Sequence, residues 1–75
     1  MELWMYQDEY VKIKSISGNV YEGFADIYSH ADDNANGIAS LDVDLGNGML
    51  MAFAENEIES IEIINATVAD IANAM

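Results

Sequence analysis

The sharpest chemical motif in the 75-residue chain is Asp32-x-Asn34-x-Asn36-Gly37. Side-chain oxygens at alternate positions followed by glycine are typical of the first half of a calcium-binding loop. The second half does not match, because the twelfth position counted from Asp32 is Val43 and not glutamate. The same residue types also favour a polar turn between two strands for backbone reasons alone. The motif therefore predicts either such a turn or a weak calcium site formed by Asp32, Asn34 and Asn36.

The single histidine, His30, stands close to Asp32 and Asp33. A histidine beside a carboxylate could act as a general base or a metal ligand. The chain has no cysteine nucleophile and no serine motif that would complete a catalytic set. Since one residue does not define a site, the alternative is an exposed loop histidine. We expect no enzyme activity and no cofactor beyond the weak calcium site.

Four glutamates cluster near the last β-rich segment, at positions 55, 57, 59 and 62. Paired carboxylates can do acid–base chemistry. These carboxylates alternate with apolar residues, which is typical of a solvated strand face, and we interpret them in that way. The aromatic residues Trp4, Tyr6 and Tyr10 allow two interpretations, a binding patch or a cover over the open end of a small core.

The formal net charge is −12, with fourteen acidic residues against Lys12 and Lys14. Binding a nucleic-acid backbone requires cations, and two lysines cannot supply them. The same charge repels anionic membranes. We therefore expect neither nucleic acid nor membrane as a partner. A basic protein surface fits the charge, although the acidic residues can also serve solubility alone.

Length and hydrophobicity indicate one small domain that shares part of its apolar surface with a partner. A chain this short buries only about 60% of its unfolded surface, yet 52% of its residues are hydrophobic. No apolar run approaches the roughly 20 residues that span a bilayer, and the N-terminus lacks the features of a signal peptide. We expect a cytoplasmic location.

Alternation of apolar and polar side chains predicts strands over residues 11–16 and 38–45. Segments rich in β-branched, aromatic or other apolar residues predict three more strands, over residues 20–28, 49–54 and 58–64. Gly23 lies inside the segment 20–28 and predicts a bulge or a bend. Residues 46–48 predict a tight hairpin. The segment 49–54 is apolar at every position, which predicts that both of its faces are covered, one of them by another subunit or a terminal helix.

Two helices are predicted at the ends of the chain. Leu3, Tyr6 and Tyr10 recur at helical spacing and predict a short N-terminal helix. Residues 65–75 predict a C-terminal helical extension, with Asn65 as its N-cap. The predicted domain organisation is therefore a β-rich domain over residues 1–64 followed by this extension.

The strands carry Val11-x-Ile13, Gly18-x-x-x-x-Gly23 and an isoleucine-rich ending over residues 57–63. In these features residues 1–64 resemble the Sm-like (LSM) family, and in particular its small acidic bacterial members. The resemblance implies a strongly bent, five-stranded SH3-like/Sm-like barrel. It also implies rings, in which the fourth strand pairs with the fifth strand of a neighbour. Uncharged strand edges such as 49–54 favour this pairing independently.

The residues that bind RNA in the family are not matched. The positions that correspond to its Asp and Asn are Ser29 and Asp33, and its Arg-Gly pair corresponds to Glu55-Asn56. An arginine stacks on bases and offsets phosphate charge, and a glutamate does neither. These RNA-site equivalents are therefore expected not to function. Ser15 also stands where the family has an aliphatic residue.

The sequence predicts a mainly β, non-catalytic Sm-like module that self-associates or scaffolds a protein partner. The alternatives are an acidic nucleic-acid mimic that binds a basic protein and a weak calcium-binding protein. The predicted oligomer interface consists of apolar residues from the fourth and fifth strands: Met49, Leu50, Met51, Phe53, Ile61 and Ile63.

Overall fold

A computed structural model describes residues 2–46 and 48–64. These residues form one antiparallel sheet of five strands in the order β4-β3-β2-β1-β5. The strands are β1 (Tyr10–Ser15), β2 (Val20–Ser29), β3 (Ser40–Gly46), β4 (Met49–Ala54) and β5 (Ile58–Ile63). The predicted mainly β class and the five strands are confirmed, and β4 has the predicted bounds. The C-terminal helix predicted over 65–75 lies outside the described residues.

Helical structure in the described residues is limited to short 3-10 turns, at Leu3–Tyr6, Ala31–Asp33 and Glu55–Glu57. The N-terminal helix is therefore shorter and tighter than predicted, and Tyr10 already belongs to β1. The chain leaves the first turn at Asp8, whose φ is 68° and whose N–H donates to the Ala25 carbonyl at 2.7 Å. No helix in this part of the chain is long and apolar enough to cross a bilayer.

The core lies against one face of the sheet, because successive side chains of a strand point to opposite sides. The third strand follows the predicted pattern, with Leu41 and Val43 buried and Asp44 exposed. Every strand contributes to the core, and Leu3 of the first 3-10 turn joins them. The buried cluster consists of Leu3, Val11, Ile13, Ala25, Leu41, Val43, Phe53 and Ile58.

Two irregularities shape β2. The register with β3 shifts between Ala25 and Ile27, so the bulge lies at Asp26 rather than at the predicted Gly23. At Gly23 the two strands approach closely. A Cβ there would overlap the Asp44 carbonyl oxygen and would lie 2.9 Å from a methyl group of Val43. The glycine is therefore required by the contact between β2 and β3.

Ser15 ends β1 with its side chain on the core face. It is 9% exposed and is in register with Ile58 of β5, whereas the next residue, Ile16, is 66% exposed. The Ser15 hydroxyl lies 2.7 Å from that of Ser17, which satisfies it at the rim of the core. A serine thus occupies a core-facing strand position, in continuation of Val11 and Ile13.

Candidate functional site

The strands at the two ends of the sheet carry exposed apolar side chains. Among the described strands, β4 pairs with β3 and β5 pairs with β1. On β4, Met49 is 62% exposed and Leu50 is 54% exposed, and on β5 Ile63 is 50% exposed. The prediction that β4 is covered on both faces is therefore not met by the described residues of one chain. Only the face of β4 that is turned toward the core is covered, and Phe53 is the buried residue on that face.

The six residues predicted to form an interface all lie on β4 or β5, but their environments differ. Phe53 is 3% exposed and its ring contacts that of Tyr21 edge-on, with 5.1 Å between the centroids. Its side chain belongs to the core, so only its backbone lies at the edge. Met51 and Ile61 are half-buried beside the core. Met49, Leu50 and Ile63 are the exposed members of the set.

The amide side chains of the 30–37 loop are used to build a turn. The Asn34 amide nitrogen donates to the Ile38 carbonyl at 2.6 Å and contacts the Ser40 hydroxyl at 3.1 Å. The Asn36 side-chain oxygen accepts the Ile38 N–H at 3.0 Å. The described residues contain no group of three His, Asp or Glu side chains placed to hold a metal ion. These contacts support the turn interpretation, and the calcium site at Asp32, Asn34 and Asn36 stays a prediction.

His30 lies at the surface beside β2. Its ring contacts Tyr28 edge-on, with 4.9 Å between the ring centroids, and its carbonyl accepts the Asp33 N–H at 3.0 Å. The side chain is exposed. This environment fits a loop histidine whose backbone helps to form the 3-10 turn.

The positions that the sequence analysis aligned with the RNA site of the Sm-like family lie near one end of the sheet. Ser29 is in register with Ser40, and Ser40 with Ala54, the residue before the Glu55-Asn56 turn. The Glu55 N–H donates to the Ala39 carbonyl at 2.9 Å. Asp33 lies in the 3-10 turn that follows β2. The fold therefore brings Ser29 and the Glu55-Asn56 turn to the same end of the sheet.

The glutamates around β5 have separate contacts. Glu57 accepts the Ala54 N–H at 3.0 Å, and Glu59 pairs with Lys14 at 3.1 Å. Glu62 is in register with Lys12. All three side chains are exposed. This arrangement agrees with a solvated face that holds the two lysines among carboxylates.

A groove that the sequence interpretation missed crosses one end of the sheet. Its volume is about 390 Å³, and its lining consists of Tyr10, Glu22, Gly23, Phe24, Asp44, Leu45, Gly46 and Ile64. Tyr10, Phe24 and Asp44 form one row across β1, β2 and β3. The two rings meet edge-on at 5.2 Å. Strand alternation places Glu22 on the same side as Phe24, but only the register between strands reveals the groove.

The aromatic residues grouped by their position in the sequence are separated in the fold. Trp4 is 59% exposed, Tyr6 packs against the core, and Tyr10 lines the groove.

No protein-family model, no curated protein and no solved structure matches the chain.

Proposed function

We propose that this protein is a non-catalytic, Sm-like assembly module in which the bent sheet forms an SH3-like/Sm-like barrel. Its copies associate head to tail, by pairing the outer edge of β4 with the outer edge of β5 on the next copy. The observation that carries the proposal is the strand order, which sets β4 and β5 at opposite ends of one sheet. A cytoplasmic location fits this role.

The two end strands are suited to pair with each other. Each is six residues long, so a full ladder can form between them. The edge of β4 carries no charged residue, and an uncharged edge with unpaired backbone groups favours addition of another strand. Pairing would satisfy those groups in the same way as in the ladders within the chain.

Pairing would also cover the exposed apolar side chains. Met49 alternates with Met51 and Phe53 on the core face of β4, and Ile63 lies on the core face of β5 beside Val11. A continuous sheet places these core faces on the same side. The core of one copy would therefore continue into that of the next, with Met49 and Ile63 at the junction.

Binding of RNA is not part of this proposal. The turn between β4 and β5 carries Glu55 and Asn56, whereas the RNA-binding members of the Sm-like family carry an arginine and a glycine between these strands. The net charge of −12 also repels phosphates. The function that remains is association with protein, either with further copies or with a partner held on the assembly.

Complementation between two single-edge variants tests the proposal. Leu50→Lys places a charge on the β4 edge, and Ile63→Lys places one on β5. Each variant alone should be a monomer of 8.2 kDa by light scattering after size exclusion. A mixture should form a one-to-one dimer, because the intact β5 of the Leu50→Lys variant can pair with the intact β4 of the Ile63→Lys variant. Nothing larger should form, because the two edges left at the ends of this dimer both carry a substitution.

Val20→Lys is the matched control, since Val20 is 51% exposed and the substitution makes the same change of charge on β2, which pairs with β1 and β3 inside the sheet. It should assemble as the unaltered chain does. An unaltered chain that stays monomeric at high concentration would refute the proposal. Self-association of either edge variant alone would instead indicate pairing of like edges.

A further inference from the structure

The groove lined by Tyr10, Phe24, Leu45 and Ile64 combines an apolar floor with two carboxylates, those of Glu22 and Asp44. We infer that it binds a short basic segment of another protein, in which a lysine or arginine adjoins an aromatic or aliphatic side chain. This site is distinct from the end-strand edges proposed for self-association, so the module would present a partner site on each copy.

The apolar part of the groove is preformed. Tyr10 and Phe24 are held by pairing between β1 and β2, and their edge-on contact fixes both rings. Both residues are half-buried, as is Leu45. An incoming aliphatic or aromatic side chain would bury this remaining surface without first ordering it, which reduces the entropic cost of binding.

The charged part of the groove determines the sign of the charge that the partner must carry. Glu22 and Asp44 are both exposed and lie on the same side of the sheet as the two rings. Lys14 pairs with Glu59 at 3.1 Å, and Glu59 does not line the groove. Lys12 is in register with Glu22 on the same face of the sheet, whereas Asp44 is in register with Phe24 and Leu50. Asp44 is therefore the groove carboxylate that has no lysine beside it in the ladder. Because the whole chain carries −12, its long-range field also attracts basic segments and repels acidic ones.

The turn beside the groove fixes one of these carboxylates. One side-chain oxygen of Asp44 accepts the Gly46 N–H at 2.8 Å, so its carboxylate is oriented before a ligand arrives. A charge-assisted hydrogen bond from lysine or arginine to the other oxygen is about twice as strong as a neutral one. The chemistry favours a cationic side chain over a neutral donor.

Nuclear magnetic resonance titration of the full ¹⁵N-labelled chain tests the inference with three synthetic peptides of equal length. The probe alternates lysine and leucine, one control alternates lysine and glycine, and the other alternates serine and leucine. We expect the lysine–leucine peptide to shift the amide signals of Tyr10, Phe24 and Asp44. Each control should bind about tenfold more weakly or worse, since each lacks one of the two contacts.

Charge-neutralising variants with equal changes of net charge separate the groove from the general field. The double variant Glu22→Gln/Asp44→Asn should weaken binding of the lysine–leucine peptide by about tenfold or more. Asparagine keeps the oxygen that accepts the Gly46 N–H, so the turn is retained. The control Asp32→Asn/Asp33→Asn changes two exposed carboxylates of the 30–37 loop and should change the affinity by less than about twofold.

Three results would overturn the inference. Equal loss of affinity in both double variants would mean that the peptide is held by general charge attraction. Equal binding of the lysine–glycine and lysine–leucine peptides would mean that the apolar residues of the groove do not contribute to binding. Signals that move along β4 and β5 rather than around Phe24 would place the peptide on the end strands. Because these readouts do not depend on association between copies, they test the groove independently of the proposed assembly.

Discussion

Gly23 of β2 lies against the backbone carbonyl of Asp44 of β3, so closely that a Cβ at position 23 would overlap the carbonyl oxygen. The neighbouring methyl group of Val43 would also lie only 2.9 Å from that Cβ. Backbone cannot move aside as a flexible side chain can. The close approach of β2 and β3 therefore depends on the absence of a side chain at one position.

Substitution of Gly23 by alanine should destabilise the fold by about 3 kcal/mol, at the upper end of typical overpacking costs. Gly18→Ala is the control, because Gly18 has a φ of +94° and no atom within 4 Å of its ideal Cβ. Its cost is backbone strain alone, about 1 kcal/mol. Urea denaturation measures both. A smaller loss in Gly23→Ala than in Gly18→Ala would contradict the packing argument.

Phe53 should contribute more to folding than to association, although it lies on the β4 end strand. Its side chain is 3% exposed and contacts Tyr21, so Phe53→Ala should cost about 3–5 kcal/mol of stability. Met49→Ala, at a 62% exposed position of the same strand, should cost less than about 0.5 kcal/mol. Thermal unfolding monitored by circular dichroism at low protein concentration distinguishes the two, and similar melting temperatures would refute the assignment.

Ser15→Val should stabilise the protein by about 1 kcal/mol, because it adds apolar atoms to a buried strand position. The position is 9% exposed and faces Ile58. The hydroxyl partner, Ser17, is exposed and can bond to water once Ser15 is replaced. Ser15→Ala serves as the control and should change stability little. Destabilisation by valine would show that the hydroxyl pair matters to the turn that follows β1.

The two proposed interactions should respond to salt in opposite directions. Association of copies brings together chains of net charge −12 each, so it should strengthen as sodium chloride rises and screens their repulsion. Binding of the lysine–leucine peptide joins opposite charges and should weaken over the same range. Sedimentation and peptide titration at matched ionic strengths measure the two. The same direction of change in both would contradict one of the proposals.

Much of the sheet follows from the sequence, but its boundaries depend on contacts between distant residues. Strand β3 begins at Ser40 rather than at the predicted Ile38. The reason is local and chemical, since the Ile38 N–H donates to the Asn36 side chain and the Ile38 carbonyl accepts from Asn34. With both backbone groups bound in the loop, Ile38 cannot join the ladder. Alternation alone does not reveal this competition between side chains and strand pairing.

The groove illustrates what a pattern along one strand cannot supply. Tyr10 and Phe24 are fourteen positions apart, and Asp44 is a further twenty away. Their proximity depends on two strand registers and on the bulge at Asp26, which shifts the pairing of β2 with β3. The sequence therefore predicts the five strands of the sheet but not the groove.

The position of the two lysines makes the rate of tryptic digestion a measure of how often the sheet opens. Trypsin cleaves only after lysine and arginine, and the chain offers it Lys12 and Lys14 alone, both on β1 between β2 and β5. A protease needs several residues of free chain, so each cut requires β1 to leave the sheet. At low trypsin concentration, the rate of digestion should thus follow the population of chains in which β1 has left the sheet, without dye, label or added tryptophan.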